Sequence, residues 1–239
     1  MLSIVIPVKN EAQNVAPLLA EFKVLSEHVP VREVIYVDDG STDDTRDALL
    51  RAQADYPFLR VISHDHNAGQ SAALWTGINA AKDGLVATID GDGQNNPADL
   101  EALYECFMAH AEDASPVMVM GQRVKRQDNA LRRLSSRVAN VVRASMLRDG
   151  TRDTGCGLKL FRRSDYMKLP YFDHMHRFLP ALMHRLGVDV MHVDVSHRPR
   201  LHGTSKYGVW NRLWVGIVDL FGVMWLLSRR RPPLTLLEE

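Results

Sequence analysis

Up to about residue 122, short apolar runs alternate with longer stretches whose apolar residues recur at helical spacing. That alternation constrains the fold more than any other feature, because it builds a mostly parallel sheet wound by right-handed crossovers. The expected class is therefore α/β, Rossmann-like, with helices flanking the sheet. Predicted strands lie at 2–6, 33–37, 59–63, 85–89 and 117–120, and predicted helices near 12–27, 43–54, 70–82 and 97–111. Pro7 is expected to stop the first strand. Asn14 and Ser41 are candidate caps for the first two helices, and Pro97 suits the first turn of the fourth.

Beyond Gly121 the pattern loosens. A basic helix is expected at about 129–147, carrying Arg132, Arg133, Arg137 and Arg143. The glycine-punctuated stretch 153–161 reads as a loop and short strand, followed by a helix near 177–186 and a strand at 188–195. A polar loop, 198–208, leads to an apolar helix from 209 to about 227. With 239 residues and no internal repeat or low-complexity linker, one domain with a C-terminal elaboration is the economical reading.

Composition narrows the function. Lys and Arg number 29 against 29 Asp and Glu, so no global field draws nucleic acid. Two cysteines, Cys106 and Cys156, make no disulfide framework and fit a reducing compartment. The apolar start at 1–7 is too short for a signal-peptide core and lacks a basic leader, so a cytoplasmic location is expected.

In sheets of this kind ligands collect outside the carboxyl ends of the strands. Polar clusters at 7–11, 38–41, 64–69 and 90–94 all fall on that rim. Asp90-Gly91-Asp92-Gly93-Gln94 is the most informative of them. Two carboxylates one residue apart suit Mg²⁺ or Mn²⁺, which bind few protein oxygens and complete an octahedron with water and phosphate. Gly91 and Gly93 are expected to let a diphosphate approach the backbone. Asp38 can accept hydrogen bonds from base N–H groups, or Asp38 and Asp39 can form an Asx turn. His64, His66, His174 and His176 lack metal-ligand spacing and read as hydrogen-bonding or surface groups. His176-Arg177 is the best of them as a contact to a donor sugar or phosphate.

Ile4-Val5-Ile6-Pro7-Val8-Lys9-Asn10-Glu11, Val37-Asp38-Asp39-Gly40-Ser41-Thr42-Asp43, Asn67-x-Gly69 and Ile89-Asp90-Gly91-Asp92-Gly93-Gln94 occur in that order. Together they resemble the nucleotide-sugar half of an inverting family 2 glycosyltransferase with the GT-A fold. Gly121-Gln122-Arg123, Ser136-Arg137-x-Ala139-Asn140, Asp153-Thr154-Gly155 and Arg200-Leu201-His202-Gly203-Thr204-Ser205-Lys206-Tyr207-Gly208 resemble the dolichol-phosphate mannosyltransferase and polyprenyl-phosphate glycosyltransferase branch. The match covers roughly residues 1–210.

The resemblance implies a glycosyltransferase domain at 1–208, divided into a nucleotide-sugar half (1–122) and an acceptor half (123–208), with a tail at 209–239. It implies inverting, metal-dependent transfer of one sugar, with GDP-mannose favoured, to a polyprenyl or dolichyl phosphate at the cytoplasmic membrane face. A UDP-sugar or a different acceptor is the alternative, and an inactive nucleotide-sugar-binding subunit is the non-enzyme alternative. Pro7, Lys9, Glu11, Asp38, Asp39, Asp90, Gly91, Asp92, Arg200 and Lys206 are then expected to hold the nucleotide sugar. Asp90, Asp92 and Gln94 are expected to bind Mg²⁺ or Mn²⁺. Arg123, Arg137, Arg200 and Lys206 would hold the acceptor phosphate through charge-assisted, partly bidentate bonds. Asp90, Asp92, Arg123 and Arg137 are the catalytic candidates. Phosphate oxygen is already an anion, so no general base is assigned. Lys159 stands where relatives often have arginine.

The tail identifies the expected partner. From Leu213 to Leu227 the chain is apolar apart from Asp219 and glycines, and Arg229-Arg230-Arg231 follows. A spanning helix needs about 20 apolar residues, and Asp219 would fall mid-span. The segment is therefore expected to lie in the membrane interface, with Trp210, Leu213, Trp214, Ile217, Phe221, Met224 and Trp225 toward acyl chains and the arginines at head groups. Packing on the protein core is the alternative. The oligomeric state is open, a homo-oligomer included.

Overall fold

The computed structural model describes residues 1–113, 115–123, 146–147, 150–151, 153–200 and 209–229, with the side chains of 209–215 outside that description. The predicted basic helix, with Arg137, and the loop carrying Lys206 lie outside the described residues.

Seven strands form one sheet: β1 (Leu2–Val8), β2 (Val31–Asp38), β3 (Leu59–Ser63), β4 (Leu85–Thr88), β5 (Val117–Arg123), β6 (Lys159–Arg162) and β7 (Asp189–Val195), in the order β3-β2-β1-β4-β6-β5-β7. All neighbours are parallel except β6, which runs antiparallel to both β4 and β5. The crossover helices are α1 (Ala12–Leu25), α2 (Thr45–Ala52), α3 (Gln70–Ala80) and α4 (Asp99–Ala109). After β6 come α5 (Arg163–Tyr166), a 3₁₀ turn (Met175–Arg177) and α6 (Leu179–Arg185), and the chain ends in α7 (Val209–Ser228).

The central strands are apolar throughout because both of their faces are covered. Leu2, Ile4, Ile6 and Val8 of β1 join one core with α1 and α4, whereas Val5 joins a second core with α3 and α6. Ile35 and Val37 of β2 face that second core, and Val34 and Tyr36 the first. Among the described residues, each predicted strand and helix is present.

Three local expectations are corrected. β1 continues through Pro7, which pairs with Val37. Val5 accepts from Ile89 on the β4 side, and Pro7, two residues on, faces the same side just after the β4 ladder has ended at Val5. Its missing N–H therefore breaks no ladder. Neither Asn14 nor Ser41 caps a helix: the N-cap residues are Glu11 and Asp44, with no side-chain cap bond. Instead, Ser41 Oγ accepts from Asn10 N at 2.9 Å and Thr45 Oγ1 from Glu11 N at 2.8 Å, stitching the ends of β1 and β2 together. Pro97 precedes α4, in a turn that its carbonyl closes onto Leu100 N.

The C-terminal helix is seated on the protein. Val223 is buried, and Leu220, Met224, Leu226 and Leu227 pack on the second core. Asp219 lies 3.2 Å from His174 Nδ1. Met224 therefore faces the core, contrary to its expected lipid contact. The opposite face stays apolar and open, with Val218, Phe221 and Trp225 all more than half exposed and Arg229 5.7 Å from the centroid of Trp225. Among the described residues no helix is long and apolar enough to cross a membrane.

Helix α3 lies so close to β1 and β2 that a Cβ at Gly77 would fall 2.4 Å from Val5 Cγ1 and 2.9 Å from Val37 Cγ2. On helix propensity alone Gly77→Ala would stabilise by about 1 kcal/mol. Overpacking outweighs that gain, so the variant should lose about 1–3 kcal/mol in urea unfolding. A midpoint at or above that of the wild type would contradict this packing.

Candidate functional site

The polar clusters at the carboxyl ends of β1, β2, β3 and β4 meet on one rim, as in other open parallel sheets. β4 ends at Thr88, whose Oγ1 donates to Gly157 O at 2.7 Å, so the first residues beyond β4 are fixed against the 153–158 loop. Gly157 is required there: a Cβ would stand 2.4 Å from Asp90 Oδ2. Asp90 keeps some solvent contact but is otherwise enclosed by protein, and Gln70 Nε2, at the start of α3, donates to its Oδ1 at 2.9 Å. Burial, with the charge of Asp92 added, pushes its pKa up to about 6, against the pull of Lys159 and Arg123.

Those two cations are themselves held. Lys159 is buried and donates to Cys156 O; burial lowers its pKa, while Asp90 and Asp153 favour its charge. Arg123 forms a fork with Asp153, Nε to Oδ2 and Nη2 to Oδ1, both at 2.7 Å. Sequence reasoning gave the guanidinium of Arg123 wholly to an acceptor phosphate. In the structure the fork belongs to Asp153, and Nη1 alone stands outside it.

Asp92 is met from the other side. Its Oδ1 accepts from Gln94 N at 3.1 Å, and its Oδ2 accepts from Arg200 Nη2 at 2.9 Å. The same Nη2 lies 3.2 Å from Glu11 Oε1, while Asn14 Nδ2 donates to Glu11 Oε2 at 2.7 Å. Arg200 is delivered by the segment that leaves β7. There Ser196 N and Oγ donate to Asp99 Oδ2 at 2.9 and 2.7 Å, Arg198 N donates to Gln94 O at 2.9 Å, and Arg198 Nη1 grips Glu21. Glu11, Asp90, Asp92, Gln94, Arg123 and Arg200 thus share one neighbourhood.

Other expected contacts are reassigned. Asp38 Oδ1 accepts from Ser41 N at 3.1 Å, three residues on, which fixes the carboxylate at the end of β2. Asp39 was expected at the nucleotide, but both of its oxygens serve the scaffold. They accept from Ala68 N and Gly69 N and pair with His64 Nδ1, each at 2.8 Å. Gly91 is also needed for packing: a Cβ there would meet Val8 Cγ1 at 2.3 Å. Pro7 and Lys9 sit half-buried at the same rim. Gln70, Ser71 and Gly157 were not assigned from sequence, and Asp153 only as a motif residue near the donor pocket. Asp153 and Gly157 lie in the glycine-punctuated stretch, and Gln70 and Ser71 directly follow Asn67-x-Gly69, which was the available signal.

The donor set fits a hard divalent cation. Two carboxylates of like charge crowd each other at Asp90 and Asp92, and a guanidinium already stands against Asp92. Among the described residues no three His, Cys, Asp or Glu side chains converge as a complete ligand set. Asp90 and Asp92 would supply part of an octahedron, as carboxylates do in Mg²⁺ sites completed by substrate phosphates.

The family model described as Glycosyl transferase family 2 matches residues 3–169. The chain is 35% identical over 241 residues to a dodecaprenyl-phosphate galacturonate synthase of Rhizobium johnstonii, covering 97% of this chain and 69% of that protein. It is 36% identical over 209 residues to an undecaprenyl-phosphate 4-deoxy-4-formamido-L-arabinose transferase of Pseudomonas syringae pv. syringae, covering 86% of this chain and 60% of that protein. The chain thus spans 60–69% of the length of these two relatives. Glucosyl-3-phosphoglycerate synthase of Mycobacterium tuberculosis, solved with Mn²⁺, UDP and glucosyl-3-phosphoglycerate, superposes with a TM-score of 0.69 at 21% identity, over 98% of this chain and 81% of that one. Mannosyl-3-phosphoglycerate synthase of Rubrobacter xylanophilus gives 0.69 at 16% identity, over 99% and 77%. These likenesses establish the fold as GT-A.

The different duties of Asp38 and Asp39 are separable by mutation. Asp39→Ala strips three bonds from the 64–69 loop and should cost about 3 kcal/mol in chemical unfolding. Asp38→Ala removes one turn contact and should cost about 1 kcal/mol. Equal losses would contradict the assignment.

Proposed function

Because the chain belongs to glycosyl transferase family 2, we propose that it transfers one sugar, with inversion, from a nucleoside-diphosphate sugar to a polyprenyl phosphate. The observation that carries the reading is the meeting of Asp92, Glu11 and Arg200 beside Asp90 on a GT-A rim. The names of the two relatives, both acting on polyprenyl phosphates, supply the acceptor class. They offer no support for mannose, and the neighbour solved with a nucleotide holds UDP, so the donor we propose is a UDP-sugar and not GDP-mannose.

Asp92 and Asp90 would hold Mg²⁺ or Mn²⁺, with Gln94 beside them. When bound, the ion neutralises charge on the departing diphosphate. Arg200 places a further positive charge at the same spot, and Glu11 and Asp38 would serve the ribose and the base. Arg123 Nη1, with Arg137 and Lys206, serves the acceptor phosphate, which attacks as an anion without a general base. Catalysis on this reading rests on positioning and electrostatics. The catalytic domain is 1–208. The outer face of α7, bearing Ile217, Val218, Phe221 and Trp225, rests on the cytoplasmic side of the membrane that holds the acceptor.

Purified protein with Mn²⁺, vesicles containing undecaprenyl phosphate, and a panel of UDP- and GDP-sugars tests this directly. Formation of a lipid-linked sugar phosphate from a UDP-sugar is expected, and Asp92→Ala should lower its rate by about 100-fold or more with the fold intact. Full activity of that variant in chelator would refute the metal role. Deleting α7 would uncover the second core, so membrane contact is better tested with Val218→Glu, Phe221→Glu and Trp225→Glu combined. Flotation with anionic vesicles should fall while the melting temperature holds. Unchanged flotation would contradict the membrane face.

A further inference from the structure

Gln70 and Ser71 are consecutive residues of the first turn of α3, and each binds a different segment. Gln70 donates to Asp90, whereas Ser71, fully buried, meets the 3₁₀ turn at His176. Ser71 Oγ lies 2.7 Å from His176 Nδ1 and accepts from His176 N at 3.4 Å. Among the described residues the hydroxyl has no other acceptor, so its own proton is directed to Nδ1. The imidazole then carries its proton on Nε2. Burial, together with Lys159, Arg177 and His174 nearby, pushes the pKa of His176 down to about 3, which keeps the ring neutral. Lys159 acts on Asp90 as well as on His176, and Gln70, the neighbour of Ser71, donates to Asp90.

We infer that Ser71 is a positioning residue that fixes the tautomer of His176, so that Nε2–H is presented as a neutral donor to a sugar or phosphate oxygen of the bound donor substrate. A neutral donor suits this spot. It can orient an oxygen without adding a second full charge beside Lys159, whose ammonium is already buried. The inference rests on the nucleotide-sugar reading of the site.

Long-range proton–nitrogen correlation on isotope-labelled histidine reads the tautomer without any substrate. The wild type should show Nε2–H at His176, and Ser71→Ala should shift the ring toward Nδ1–H. An Nδ1–H imidazole in the wild type overturns the inference. Calorimetry with Mn²⁺ and UDP-galacturonate reads the consequence. Ser71→Ala and His176→Ala should each weaken binding about tenfold, and the double variant no further. Ser71→Thr should restore most of the loss, and it also serves if Ser71→Ala does not fold. A matching loss with UDP alone places the donor bond on the diphosphate, and a loss confined to the sugar nucleotide places it on the sugar; both support the inference. Additive losses, or wild-type affinity in both single variants, overturn it. A wild type that binds no UDP- or GDP-sugar at all defeats the transferase reading first, and the role of His176 with it.

Discussion

Two carboxylates one residue apart, at the mouth of a strand buried on both faces, cannot both be ionised without cations close by. That constraint at Asp90 and Asp92 organises the rim. Lys159 and Arg123 act on Asp90 from the β6 and β5 side, Arg200 reaches Asp92 from beyond β7, and Gln70 adds a hydrogen bond from α3. Each comes from a different element, so forming the site requires the whole sheet to be in register. The reversed strand β6 matters most here. It places Lys159 opposite Thr88 and leaves Gly157 beside Asp90, with no side chain to displace the carboxylate.

The cations around the pair differ in how firmly they are committed. Arg123 is enclosed and forked onto Asp153, which ties the end of β5 to the loop behind the site. Arg200 is a quarter exposed and shared between two carboxylates, at the end of a segment anchored by Ser196 and Arg198. A guanidinium held in that way sits against Asp92 and can exchange a carboxylate partner for a phosphate at modest cost, since partly exposed ion pairs are weak. Firm anchoring two residues upstream keeps it within reach during such an exchange.

Much of the sheet was legible in the sequence because strands covered on both faces read as uninterrupted apolar runs, as at 34–37 and 86–89. The positions of Asp90, Asp92 and Glu11 followed from the strand ends. What sequence could not carry was direction. Gly91 and Gly157 look alike as letters, yet one faces Val8 in the core and the other faces a carboxylate. Asp38 and Asp39 are neighbours, but only Asp39 turns toward the amides of Ala68 and Gly69. Pro7 was read as a stop, although its missing N–H falls where no partner strand remains. In the tail, Asp219 seemed incompatible with an apolar environment, and its partner His174 is remote in sequence. The helix consequently has two apolar faces with different uses, one packed inward and one open.

Titration of the protein with Mn²⁺, followed by electron paramagnetic resonance in the presence and absence of UDP, tests the central claim most directly. An acidic strand end that supplies only part of a coordination shell predicts weak binding of Mn²⁺ alone, clear tightening when the diphosphate completes the shell, and loss of both in Asp92→Asn. Mn²⁺ binding that ignores UDP, or that survives Asp92→Asn unchanged, would contradict the account.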